Sequence, residues 1–381
     1  MTRYKLSEIC KIVSGSTPKT NVPEYWDGEN VWITPAEITD KTFIVYDSQR
    51  KLSNLGVEKT HLSSFPKGTV ILSSRAPIGK VAIAGVEMFC NQGFKNLICS
   101  EKIMNEYLYW FLKGKTKYLN SLGRGATFKE LSAKIIGNIE LEVPSIQEQK
   151  EVVIRLRKID QIIGVFEREV ELLDELIKAR FVEMFGDPIT NDMLWNTVKL
   201  NDVCYGIGDG LHGTPEYDEY GDYPFINGNN LKNGMIEITP STKMVNEDIY
   251  RKYFIKLTEN TILLSINGTL GNLALYNGEK VVLGKSACYC NLIPDINRIF
   301  VCSVMKTDAF SNFLESNATS STIKNIGLKV IREFELIVPP LELQNQFASF
   351  VQEIDKSRSR IQKSLEASQE LFDSLMQEYF G

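Results

Sequence analysis

The chain has 381 residues, 43% apolar and 24% charged, with a formal net charge of −5 and only two histidines. That is ordinary globular composition and enough length for two or three domains. No apolar run approaches the ~20 residues of a membrane helix, and the opening MTRYKLSEIC lacks a signal-peptide pattern, which points to the cytoplasm. Seven scattered cysteines with no Cys-x-x-Cys pair argue against a disulfide framework or a zinc site, and read as small buried apolar residues or incidental thiols.

Residues 1–144 read as a mixed region rich in short strands. KGTVILSSRAPIGKVAIA (67–84) has the pattern strand, tight turn, strand, and NEYLYWFLKGKTKYLNSL (105–122) has helical spacing at Tyr107, Leu108, Phe111, Leu112, Tyr118 and Leu119. A polar Gly-Arg-Gly-Ala-Thr loop, a short segment to Ile136 and the strand-like IELEVP (139–144) follow. Ser145 with Glu148 three residues on has capping-box spacing, and opens a long helix that stops at Gly186-Asp187-Pro188. The apolar positions Val152, Leu156, Ile159, Ile163, Phe166, Val170, Leu173 and Ile177 alternate steps of four and three, an a/d heptad seam. Such a helix is roughly 55–60 Å long, and so narrow a stripe needs a partner.

After Pro188 the chain starts again. IELEVPSIQEQ (139–149) recurs as FELIVPPLELQ (334–344), and Ala126-Thr127-Phe128-Lys129 as Ser321-Thr322-Ile323-Lys324, both at an offset of 195. TVILSSRAPIGKVAI (69–83) matches TILLSINGTLGNLAL (261–275) at 192, a drift that loop insertions produce. The chain is therefore a tandem duplication of a globular domain followed by a long helix. Moving the first seam by 195 gives Phe347, Val351, Ile354, Arg358, Ile361, Leu365, Ser368 and Phe372, with Leu375 and Tyr379 extending it. Antiparallel pairing of the two helices makes one the partner of the other; the alternative is that each packs back on its own domain. Arg358 and Ser368 interrupt the second seam, as a register-setting interface does.

The two helical stretches carry the whole net negative charge, so the remainder is neutral and leaves a nucleic-acid partner neither shown nor excluded. The duplicated LEVPSIQEQ (141–149) and LIVPPLELQ (336–344), the opening TRYKLSEICKIVSGSTP with WITPAEI, and their second copies TVKLNDVCYGIGDGLHGTP and PFINGNNL resemble the specificity subunits of type I restriction-modification enzymes. The resemblance covers essentially all of the chain and rests on the order of the motifs, none of which is specific alone. It implies an α+β chain with target-recognition domains at 1–144 and 187–339 and spacer helices at 145–186 and 340–381, the helices pairing as an antiparallel coiled coil. It further implies that each domain reads one half of a bipartite DNA target, that the helices set the spacer and dock two methyltransferase subunits, and that translocase-nuclease subunits join for cleavage. S-adenosylmethionine, ATP and magnesium then belong to partner subunits. The chain has no P-loop, no Asp-Pro-Pro-Tyr-type tetrapeptide and no His-Glu-x-x-His, and the duplication leaves no third region for a catalytic domain. A DNA-free interaction scaffold is the alternative.

Polar side chains on loops are the candidates for base edges and phosphates. In the first domain they are Ser74, Arg75 and Lys80 in the tight turn, Asn91, Gln92 and Lys95 in NQGFK, and Arg124, Thr127 and Lys129 around GRGATFK. In the second they are Asn227, Asn229 and Asn230, then Asn267, Thr269 and Asn272, then Lys285 and Ser286, and Ser320, Ser321, Thr322 and Lys324. Each has a structural alternative: the Asn-Gly pairs at 227–228, 267–268 and 277–278 are also hairpin-turn signals. Matched positions that differ, such as Arg75 and Asn267, are where two half-sites diverge; Lys129 and Lys324 are retained and suit phosphates or structure.

Overall fold

A computed structural model of the chain describes residues 2–123 and 129–381, in two units: Met1–Glu167 with Lys363–Gly381, and Arg168–Gln362. The first unit opens with β1 (Thr2–Lys5), one turn of helix α1 (Leu6–Ile9), β2 (Cys10–Ser14) and β3 (Trp26–Ile33). Then come β4 (Ile44–Val45), β5 (Arg50–Leu52), α2 (Asn54–Thr60), the hairpin of β6 (Val70–Leu72) and β7 (Val81–Ala84), β8 (Phe89–Cys90) and β9 (Lys95–Cys99). Helices α3 (Asn105–Gly114), α4 (Thr116–Leu122) and α5 (Ala133–Gly137) lead to β10 (Glu140–Val143) and the long α6 (Ile146–Phe185).

One sheet runs β2-β9-β6-β7-β4 and a second β5-β3-β8. Strands β6 and β7 are wholly buried, because alternate side chains enter different cores. Val70, Leu72, Val81 and Ile83 join one cluster with α3, and Ile71, Ala82 and Ala84 join the other. The β6–β7 hairpin stands where the sequence places it, whereas the helical stretch 105–122 is two helices meeting at Lys115. The first strand also closes on the last, since β1 pairs antiparallel with β10, Arg3 facing Glu142.

The second unit repeats the order: β11 (Thr197–Lys199), β12 (Cys204–Asp209), β13 (Tyr223–Ile226), β14 (Leu231–Lys232), β15 (Met235–Ile236), β16 (Met244–Val245) and α7 (Glu247–Lys252). It continues with β17 (Thr261–Ser265), β18 (Leu273–Leu275), β19 (Val282–Leu283), β20 (Ala287–Leu292), α8 (Arg298–Val304), α9 (Asp308–Asn317), α10 (Leu328–Arg332), β21 (Glu335–Ile337) and α11 (Leu341–Phe380). Its sheets run β12-β20-β17-β18 and β16-β13-β19, and β11 pairs with β21 as β1 does with β10. The tight Asn-Gly hairpin lies between β14 and β15 at Asn233-Gly234, both with positive φ, as a type I′ turn requires. Asn227-Gly228, a hairpin signal in the sequence, instead enters a 3-10 turn over Gly228–Asn230.

Both long helices contribute to each unit. In the first, Val153 and Leu156 of α6 share a core with Phe372, Leu375, Met376 and Phe380 of α11, and the Arg155 guanidinium donates to the Tyr379 hydroxyl at 3.1 Å. In the second, Phe181 and Phe185 of α6 lie edge-on to Phe347 of α11, each at 5.5 Å between ring centres. Asp174 there accepts from Arg358. As α6 advances from 174 to 181, its partners retreat from 358 to 347, so the pairing is antiparallel. All the seam positions, including Ile159, Ile163, Phe166, Val170, Leu173, Ile177, Val351, Ile354, Ile361 and Leu365, are buried or half-buried. Arg358, the charged interruption of the second seam, is thus an ion-pair partner across it. Packing on the partner helix and packing on the domain are not alternatives here, because the end of each helix does both. Phe181 and Phe185 of α6 and Phe380 of α11, outside the heptad list, pack on the domain of the other repeat, beside Phe300 and Tyr107 respectively.

Candidate nucleic-acid interface

The β6–β7 turn is built on one buried serine. Ser73 Oγ donates to Pro77 O at 2.7 Å and accepts from Lys80 N at 2.8 Å, while its carbonyl accepts from Gly79 N at 3.1 Å. In the second unit Ser265 Oγ donates to Thr269 O at 2.6 Å and accepts from Asn272 N at 2.8 Å, and its carbonyl accepts from Gly271 N at 3.0 Å. Both serines are fully buried. A hydroxyl can donate and accept at once, which lets one side chain close the loop from within.

Two other stretches of the first domain meet this turn, the 91–95 segment and the residues at Glu130 and Leu131. Ser74 N donates to Gly93 O at 2.7 Å, and Leu131 N to Ser74 O at 2.8 Å. The turn therefore lies between the 91–95 loop and the strand-like entry at Glu130, which bridges to Arg75. Arg75 Nε donates to Glu130 Oε2 at 3.0 Å, and Lys95 Nζ approaches the other carboxylate oxygen at 3.5 Å. Lys80 Nζ donates to Pro35 O at 3.1 Å. Asn91 Oδ1 accepts from Gly93 N at 2.8 Å, Gln92 accepts from the Thr17 hydroxyl, and Lys129 is exposed. Ser74 is fully buried and the Lys95 side chain only 10% exposed. Neither presents a surface to a duplex, which corrects the sequence expectation for both: loop composition does not report which neighbouring loop covers it. Arg124 and Thr127 lie outside the described residues.

The second domain assembles the matching loops with other side chains. Ile266 N donates to Ser286 O, Ile326 N to Ile266 O, and Gly268 N to Lys324 O. Asn267 bridges to Asn325 where Arg75 bridges to Glu130. Ser286 Oγ donates to Asn227 Oδ1 and accepts from Gly228 N, both at 2.9 Å. Asn230 Oδ1 accepts from Asn227 N at 3.0 Å, and its amide donates to Glu237 O at 3.1 Å. Asn227, Asn230 and Ser286 thus hold the loop itself, whereas Asn229, Thr269, Lys285, Ser320, Thr322 and Lys324 are exposed. Ser321 is exposed too, its hydroxyl donating to Ile323 O at 2.6 Å; Asn267 and Asn272 are half-buried.

Sequence reasoning passed over four residues that position these loops and helices: Ser73, Ser265, Gln149 and Gln344. The glutamines are fully buried at the starts of α6 and α11. Gln149 accepts from Met104 N at 2.8 Å and donates to Lys102 O and Pro144 O, both at 3.0 Å. Gln344 accepts from Asn297 N at 2.9 Å and donates to Pro339 O at 2.8 Å. Each pins a long helix to its domain, and the signal was available in their repetition at an offset of 195. Burial pushes the Cys90 thiol up to about 12. Among the described residues no group of three or more His, Cys, Asp or Glu side chains is placed to hold a metal ion, and no helix is long and apolar enough to cross a membrane.

Comparison with known proteins extends over the whole chain. The MjaIX specificity subunit of Methanocaldococcus jannaschii, a type I restriction enzyme component, is 27% identical over 408 aligned positions, covering 98% of this chain and 90% of the relative. The HindI specificity subunit of Haemophilus influenzae is 26% identical over 166 positions, covering 43% of this chain and 35% of the relative. Among solved structures, the type I restriction-modification S subunit of M. genitalium superposes with a TM-score of 0.61 at 15% identity, covering 100% of this chain and 96% of its own. The type I restriction modification DNA specificity domain matches residues 1–172 and again 193–369. The chain belongs to this family, carries its domain twice, and is a specificity subunit of a type I restriction-modification system, a recognition component without catalytic chemistry of its own.

Proposed function

We propose that each domain reads one half of a bipartite double-stranded DNA target and that the helix pair sets the unread spacer. The duplication carries this reading: one recognition unit occurs twice, with the same loop frame and different side chains at its tips. Readers on one face of a duplex sit about one helical turn apart, roughly 34–36 Å, and a helical bar is a natural ruler for that distance. The reading divides the chain at 1–144, 145–186, 187–339 and 340–381. Arg75, Lys80, Asn91, Gln92 and Lys129, with Arg124 and Thr127 of the Gly-Arg-Gly-Ala-Thr sequence, serve the first half, and Asn229, Asn267, Thr269, Asn272, Lys285, Ser320, Ser321, Thr322 and Lys324 the second.

The helices also dock two methyltransferase subunits, which bring S-adenosylmethionine; translocase-nuclease subunits bring ATP and magnesium chemistry, all in the cytoplasm where the genome is. Exposed apolar side chains on α6 support docking: Ile154 and Val165 in the first unit, Leu172, Leu176 and Val182 in the second. Mapping adenine methylation genome-wide in cells expressing the chain with its cognate methyltransferase subunit tests the reading. A bipartite motif is expected, and exchanging residues 1–144 should change one half only; inserting a heptad in one helix should change the spacer only. Salt-independent or absent DNA binding by the complex would favour the scaffold instead.

A further inference from the structure

Among the loops, one cluster is charged where its repeat is neutral. In the first domain the bridge pair is Arg75 and Glu130, with Lys95 on the far carboxylate oxygen; in the second the bridge pair is Asn267 and Asn325. The cluster holds two cations and one anion, so it keeps a net positive charge beside an exposed turn. Lys95 is buried, with its ammonium between Glu130 and the Phe94 carbonyl, so the carboxylate has a fixed counter-ion from below. Arg75 is 44% exposed in its side chain and gives Glu130 only its Nε. Neither terminal nitrogen of its guanidinium has a hydrogen-bond partner among the described residues.

An arginine gripped at Nε keeps its end-on fork of two amino groups free and oriented. That fork is complementary to guanine O6 and N7 in the major groove. We infer that Glu130 is a positioning residue for base readout, which holds Arg75 in the geometry for a bidentate contact with guanine and so gives the half-site of the first domain a fixed G·C pair. The inference rests on the bipartite reading above and names one of its bases. Held this way, the side chain loses less freedom on binding than a free arginine does.

The test is methylation mapping with the full chain and its cognate methyltransferase subunit, for the wild type, Arg75→Ala, Glu130→Gln and the double variant. The wild-type motif should contain a fixed G·C pair in one half, and Arg75→Ala should relax that pair alone, by about 5- to 150-fold in preference. Glu130→Gln should relax the same pair and leave the other half untouched; in the Arg75→Ala background it should add nothing, which a purely structural carboxylate would not do. Relaxation at a different base, an unchanged motif in Arg75→Ala, or additive loss in the double variant would overturn the inference while the bipartite motif stands. A wild type that yields no bipartite motif would overturn the reading it rests on as well. Should Glu130→Gln not fold, Glu130→Asp takes its place: it keeps the charge beside Lys95 but withdraws the carboxylate from Arg75 Nε, and should relax the same pair, whereas an unchanged motif in the variant that folds would overturn the positioning role.

Discussion

Unit 1 carries Phe43 where unit 2 carries Gly234, and Trp110 where unit 2 carries Ser303. The backbone fixes both matches: Phe43 O accepts from Ile83 N as Gly234 O accepts from Leu275 N, each at 2.9 Å. Gln149 and Gln344 bind the equivalent helix starts at Met104 and Asn297. In unit 1 the Phe43 ring meets Tyr109 edge-on at 4.7 Å and lies 6.0 Å from Trp110, which in turn meets Phe372 at 5.7 Å. In unit 2 the corresponding space is a groove of about 750 Å³ lined by Gly234, Ser303, Ile177 and Phe181 among others, and a Cβ at Gly234 would meet nothing. Meanwhile the serine of the turn, the glutamine of the helix start and the closing strand pair are the same in both. What the repeats share is the polar ties that fix the backbone; apolar filling is free to differ because dispersion and burial are non-directional, whereas a buried carbonyl or amide demands a partner at one position.

That contrast can be broken by exchanging the filling. Trp110→Ala in unit 1 is expected to cost about 3–5 kcal/mol, the range for a large buried aromatic, while Ser303→Ala in unit 2 should be within about 0.5 kcal/mol. Denaturant unfolding of the two variants, followed by hydrogen exchange in each unit, checks the difference; equal losses would show that the groove is not the open counterpart of the Trp110 site. Exchange of the shared ties should instead be symmetric. Gln149→Ala and Gln344→Ala each strand buried backbone groups and are expected to cost about 1–3 kcal/mol, read by the same unfolding. Ser73→Ala and Ser265→Ala should cost about 1 kcal/mol each and loosen the turn amides at Lys80 and Asn272 in hydrogen exchange.

The smallest effect separates the helix starts. Ser145 donates to Glu148 from its hydroxyl at 2.7 Å and its amide at 2.8 Å, and these bonds hold the Glu148 carboxyl below its usual range. A depressed carboxyl stabilises the fold above its unfolded value and loses that contribution as pH falls through the folded one. Helix α11 has Pro340 at the position of Ser145. Protection of the first-turn amides of α6 should therefore fall as pH drops below about 4.3, while those of α11 change less; equal acid sensitivity at both starts would assign the effect elsewhere.

Much of the frame was legible from residues alone. Capping at Ser145 and termination at Gly186, with its φ of +74°, are local events decided within a few residues, and the repeat exposed the partner of each helix. The loops were legible as a set but not residue by residue. Ser74 and Lys95 have the chemistry of DNA contacts yet are buried, and the half-buried Asn227, Asn230 and Ser286 bond within their own loop. Glu130, an acid between two cations, organises the cluster.

The sequence by itself determined the duplication, the helix limits, the seam and the hairpin between β6 and β7, because each depends on spacing along one chain. Tertiary structure decided which polar side chains face outward, how Arg75 is held and why one repeat is filled and the other hollow. Those outcomes depend on segments 35 and 55 residues apart meeting, as Glu130 meets Lys95 and Arg75, and no periodicity records such a meeting.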